Sequence, residues 1–153
     1  MRELPRQLSR DELAELFEGR TALVDALADR EDPLGAAAEV LLALPPEAQI
    51  EALNAHPAIG APTGLSARSA AEQGSDDDPV VLTELARLNE AYEARHGFRF
   101  VVFVNRRPKT DILEVLRVRI GNATAAELET ALGELVAIAE DRWRRSADER
   151  VPN

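Results

Sequence analysis

The sequence predicts an all-α, single-domain bundle of roughly seven to eight helices with one extended segment near residues 98–104. Three observations carry that reading. Alanine and leucine dominate the 153 residues while aromatics make up only 4%, and both favoured residues lose little rotamer freedom in a helix. Helix start and stop signals recur along the chain. Phe98-Arg99-Phe100-Val101-Val102-Phe103-Val104 is the only β-branched and aromatic run that reads as a strand, and it has no obvious sheet partner. A hydrophobic content of 45% is enough for one domain with a core of its own.

Each helix has its own signals. Ser9 with Glu12 makes a capping box ahead of Leu13, Leu16 and Phe17, a short helix that ends near Gly19. A second spans about Thr21 to Asp29. Asp32-Pro33 places a cap before a proline at the first helical position and opens a helix through Leu41, which Pro45-Pro46 must stop. Pro46 opens the next, ending at His56-Pro57. Asp78-Pro79 repeats the start signal before a long helix whose Val81, Leu85, Leu88 and Tyr92 share one face, with Gly97 as its stop. Arg106-Arg107-Pro108-Lys109 breaks the chain before a helix from about Thr110 to Ile120. Thr124 with Glu127 reads as a second capping box, opening a final helix to about Ser146 with Leu128, Leu132, Leu135, Val136 and Ala139 on its apolar stripe. No internal repeat occurs at solenoid spacing. Ala58 to Asp78, punctuated by Gly60, Pro62, Gly64 and Gly74, has no secure assignment and is a natural place for function.

Composition limits the chemistry. Eighteen Lys and Arg against 28 Asp and Glu leave a net charge of −10, which works against nucleic acid or an anionic membrane surface as a partner. The chain has no cysteine and only two histidines, so thiolate chemistry, disulfides and a histidine-rich metal centre are not expected. No stretch approaches 18 apolar residues, and Met-Arg-Glu-Leu-Pro-Arg lacks the core of a signal peptide, so the expected setting is soluble and cytoplasmic.

A few residues stand out. His56 precedes a proline and is therefore held at a helix-to-loop corner. Helix carbonyls there favour a protonated ring. Two readings stay open for it: a general acid at a pocket edge, or a cap on the last carbonyls. His96, before the stop glycine, reads as a solvated cap. Ser66 can cap a short helix that places Ser69, Glu72 and Gln73 on one face, either as a polar ligand surface or as an exposed face without a role. Arg142 falls inside the apolar stripe of the last helix, so it needs a carboxylate partner or a ligand anion unless it snorkels to solvent. Arg144 and Arg145 point elsewhere. The 106–109 cluster reads as a solvated turn, and Asp76-Asp77-Asp78 as helix capping, since it lacks the glycine and distal glutamate of a calcium loop.

In order and spacing, His56-Pro57 with Ala58-Ile59-Gly60, Ser69-x-x-Glu72-Gln73, Leu88-Asn89-x-x-Tyr92, Gly97-Phe98-x-Phe100-Val101 and Arg142 resemble the 2-oxo-4-hydroxy-4-carboxy-5-ureidoimidazoline (OHCU) decarboxylases of urate breakdown. The resemblance runs from the first helix to about Trp143. It implies an all-helical fold, usually homodimeric, working without metal or organic cofactor on the step that ends in (S)-allantoin. It assigns catalytic roles to His56 as proton donor, Glu72 and Arg142. Substrate contacts fall on Pro57, Ser69, Ala70, Ala71 and Gln73, and on the backbone of Phe100, Val101, Val102, Phe103 and Val104. The sequence departs from the family in following Gln73 with Gly74-Ser75-Asp76-Asp77-Asp78, and in having Arg99 where relatives often have proline.

Such a reaction suits the residues. Electrons left by CO₂ can spread into the substrate's own C=N and carbonyl groups, so no external electron sink is required. Arg142 and the Ser69/Gln73 face are expected to hold the substrate, Glu72 to position its hydroxyl or the His56 ring, and protonated His56 to deliver a proton to one face. The rate is then expected to fall as pH rises through the His56 pKa. Two other classes stay open: a non-catalytic helical module binding a small anionic or ureido-type ligand, and a purely structural helical partner.

Overall fold

In a computed structural model the chain is all-α. The structure describes residues 7–57 and 78–150, with side chains described through Arg145. Among them seven helices follow in order: α1 (Arg10–Leu16), α2 (Ala22–Leu27), α3 (Pro33–Ala43), α4 (Pro46–Asn54), α5 (Pro79–His96), α6 (Lys109–Ile120) and α7 (Thr124–Arg150).

Local chemistry sets the boundaries. Ser9 Oγ accepts the Glu12 N–H and the Glu12 carboxylate accepts the Ser9 N–H, each at 3.1 Å, so the first capping box forms. Asp32 caps α3 by accepting the Gly35 N–H at 3.2 Å. A Cβ at position 35 would lie 2.2 Å from the Asp32 carboxylate, so any larger residue there would force the Asp32 side chain to shift. The prolines end α3 near Leu44, and the Leu41 carbonyl there accepts both the Leu44 N–H at 3.1 Å and the Gln49 side-chain amide at 2.9 Å. Asp78 caps α5 through the Val80 N–H, and Gly97, at φ 81, closes it.

α5 and α6 form the most extensively packed helix pair, while α1, α3, α4 and α5 all meet α7. The side of α7 that they cover carries Ala131, Leu132, Leu135, Ile138, Ala139 and Trp143, all buried. Leu128 and Val136 sit at the margin of this stripe, half-buried against the core. Each fully buried leucine or isoleucine contributes about 1.5–3 kcal/mol by leaving water, so α7 is the helix around which the others are organised.

The run from Phe98 to Val104 is extended without being a strand. Phe98, Phe100, Val101, Val102 and Val104 are buried, and a polar network fixes the chain where no sheet does. The Glu127 carboxylate accepts from Tyr92 Oη at 2.7 Å, Arg119 Nε at 2.8 Å and Asn122 Nδ2 at 2.9 Å. Arg119 also donates to the Val101 carbonyl at 2.8 Å and lies 4.7 Å from the Phe100 ring centroid. Burial alone would raise the Glu127 pKa, but these three donors and the Arg119 charge together hold it below the usual carboxylate range. The Tyr92 phenol is pushed up by burial and by its bond to Glu127, so it stays a donor.

Three expectations change here. The Thr124/Glu127 pair does not work as a capping box. Thr124 is already helical, its hydroxyl lies 2.7 Å from His96 Nδ1, and the Glu127 carboxylate serves the network just described. His96 is accordingly a buried residue packed on Tyr92, with ring centroids 4.6 Å apart, rather than a solvated cap. The 106–109 turn is only partly solvated: Lys109 is buried, and Arg107 turns back to donate to the carbonyls of Phe103 at 2.6 Å and Val104 at 3.0 Å. No helix among the described residues is long and apolar enough to cross a membrane.

Candidate active site

α4 ends at Asn54, Ala55 is its C-cap, and His56 follows with its N–H on the Leu53 carbonyl at 3.2 Å. Arg99 fixes this corner to the start of the extended segment. Its backbone N–H donates to Asn54 Oδ1 at 2.9 Å, and its guanidinium donates to the carbonyls of His56 at 2.7 Å and Asn54 at 3.3 Å. Arg99 thereby ties residues 98–104 to the histidine.

The His56 side chain turns inward. The residue is only 5% exposed, and Nε2 meets no hydrogen-bond partner among the described residues. It is not a cap on the helix carbonyls. Burial lowers the ring's pKa from 6.5 to about 4, helped by the Arg142 and Arg99 charges and opposed by Glu18. The sequence expectation of a ring kept protonated by the end of α4 is thus reversed: desolvation and two cations outweigh the helix dipole. At neutral pH the free protein holds a neutral imidazole.

Arg142 is where the periodicity of the last helix places it, facing inward and 2% exposed. It does not snorkel. NH2 pairs with Glu18 Oε1 at 2.9 Å, and NH1 donates to the carbonyls of Glu15 at 3.3 Å and Leu16 at 3.4 Å. Arg144 and Arg145 pair along the helix surface with Glu140 and Asp141. Glu18 escaped the sequence reading, since it looked like one more acidic residue at the end of a short helix. The turn that carries it packs close to α4: a Cβ at Gly19 would lie 3.8 Å from the Ala55 Cβ.

Pro57 follows His56 and is half-buried. In the extended segment the carbonyls of Val101, Phe103 and Val104 accept from Arg119 and Arg107, while no amide of residues 100–104 finds an acceptor among the described residues. The short helix proposed around Ser69, Ala70, Ala71, Glu72 and Gln73 lies outside the described residues, as do Asp76 and Asp77. Among the described residues no three histidine or carboxylate side chains converge as a metal would need.

Residues 2–144 match the family model described as OHCU decarboxylase. A Haloferax volcanii protein named 2-oxo-4-hydroxy-4-carboxy-5-ureidoimidazoline decarboxylase is 36% identical over 100 residues, covering 63% of this chain and 60% of its own length. An Arabidopsis thaliana protein named uric acid degradation bifunctional protein TTL is 33% identical over 105 residues, covering 63% of this chain and 32% of its own. The chain thus spans less than two thirds of these relatives. In fold it is similar to a crystal structure of an OHCU decarboxylase in the presence of (S)-allantoin, with a TM-score of 0.72 at 23% identity over 86% of this chain and 94% of that one. It is also similar to a crystal structure of an (S)-allantoin synthase, with a TM-score of 0.65 at 22% identity over 87% of this chain and 47% of that one.

Proposed function

The chain belongs to the OHCU decarboxylase family, and from that premise we propose that it converts 2-oxo-4-hydroxy-4-carboxy-5-ureidoimidazoline to (S)-allantoin and CO₂ in urate degradation. The observation that carries the reading is the buried His56 ring, neutral and with Nε2 unpartnered among the described residues, under the field of an inward-facing Arg142. A neutral base beside a cation suits a carboxylated substrate that also carries a hydroxyl proton to be moved.

The chemistry follows from the substrate's bonds. When CO₂ leaves, the C–C electron pair forms a C=C bond to the ureido-bearing carbon, and the electrons of the ring C=N move onto its nitrogen, which takes a proton from solvent. The hydroxyl then loses its proton, a carbonyl forms, and the ureido-bearing carbon gains a proton. In this proposal neutral His56 takes the hydroxyl proton and returns it as imidazolium to one face of that carbon, which sets the product's handedness. It remains the proton donor, but it acquires the proton during turnover. Arg142 draws the carboxylate, Glu72 orients the hydroxyl or the ring, and Pro57, Ser69, Ala70, Ala71, Gln73 and the backbone of residues 100–104 hold the ureido ring. No metal or organic cofactor enters the scheme. The proposal extends to a homodimer in the cytoplasm, which sedimentation of the purified protein and localisation of a tagged chain check.

The distinguishing experiment is His56→Asn. Enantioselective allantoin formation is expected to be lost while (S)-allantoin still binds in calorimetry. Full activity in the variant overturns the proton-transfer role, and binding without turnover in the wild type points instead to a ligand-binding module.

A further inference from the structure

Glu18 occupies a place in the fold that a helix stop alone does not require. It follows the Phe17 C-cap of α1 with φ 65, a left-handed conformation that glycine adopts more readily than glutamate. Gly19 stands next in the chain, yet glutamate holds the left-handed position that directly ends the helix. The side chain placed there reaches a guanidinium on α7, 124 residues away in sequence, at 2.9 Å. Both members of the pair are withdrawn from water, with side chains 2% and 11% exposed. The neighbouring turn rests on Ala55, directly before His56.

We infer that Glu18 is a positioning residue for the reaction proposed above: it fixes the Arg142 guanidinium and tempers the positive field that Arg142 and Arg99 place on His56. The inference rests on that functional reading. Two consequences separate it from a merely structural role. The Glu18 carboxylate and the substrate carboxylate are like charges served by one guanidinium, so Glu18 opposes substrate binding. It also favours a proton on His56, so it assists the transfer step. A residue that only held the turn would help binding and turnover together.

Glu18→Gln keeps the shape of the side chain and removes its charge. KM for the carboxylated substrate is expected to fall severalfold, kcat to fall on the order of tenfold, and the Kd of uncharged (S)-allantoin to stay within twofold. Glu18→Asp, which retains the charge, is expected to keep KM within twofold of wild type while lowering kcat less than the amide does. If the amide variant does not fold, Glu18→Asp carries the test alone: kcat falls at nearly constant KM, and a raised KM with unchanged kcat overturns the inference. A Glu18→Gln protein with raised KM and weakened allantoin binding overturns it too. An inactive wild type overturns the functional reading and this inference with it, whereas an active wild type with either contrary pattern overturns the inference alone.

Discussion

Glu18 and Arg142 form a buried ion pair between the α1–α2 turn and the last helix, 2.9 Å apart across 124 residues of chain. Removing one member takes an opposite charge from the other in a site withdrawn from water, which costs more than the pair itself contributes. Arg142→Gln is therefore expected to destabilise the protein by about 3 kcal/mol in urea unfolding. Adding Glu18→Gln to it is expected to recover part of that loss. Strictly additive single and double variants would mean that the two side chains do not depend on each other.

A second expectation concerns pH and follows from the neutral state of His56. Its pKa is lowered on folding from 6.5 to about 4, so between those values the unfolded chain binds a proton that the folded chain refuses. Stability from this group is present above about pH 6.5 and is lost as pH falls toward 4, by about 3 kcal/mol in all, and His56→Asn lacks that component. The same titration shapes catalysis: kcat/KM is expected to be level from about pH 6 to 8 and to fall as the free enzyme's ring becomes protonated. An alkaline limb centred near pH 7 and moved by no substitution other than at His56 would show that the ring must enter the cycle already protonated.

The network under the extended segment makes a third prediction. Glu127→Gln leaves Arg119 without its buried counter-charge and weakens the hold on the Val101 carbonyl. Thermal unfolding is expected to report a loss of about 3 kcal/mol, and amide exchange at residues 100–104 to quicken before that of α7. Equal protection of these amides in both proteins would show that apolar burial alone holds the segment.

Much of this was legible in the chain. Periodicity and capping chemistry placed the helices because those signals are local, and the inward register of Arg142 followed from the same counting. The extended run was recognisable from its β-branched and aromatic residues, although what replaces a sheet there was not: Tyr92, Arg119, Asn122 and Glu127 come from different elements, and only folding brings them together. Thr124 and Glu127 showed a capping pattern, but tertiary partners took both side chains. His56 was found by its place before Pro57, while its protonation state was misjudged because sequence shows the helix end and not the desolvation. Glu18 left no signal at all, since its partner lies on the last helix.

The handedness of the product tests most directly the proposed delivery of a proton to one face of the ureido-bearing carbon. Circular dichroism followed on freshly generated substrate, with a catalytic amount of protein, is expected to show the signal of (S)-allantoin building up faster than the unaided decay. The same trace with His56→Asn is expected to match the protein-free control. Racemic allantoin from the wild-type protein, or substrate loss no faster than the control, would contradict it.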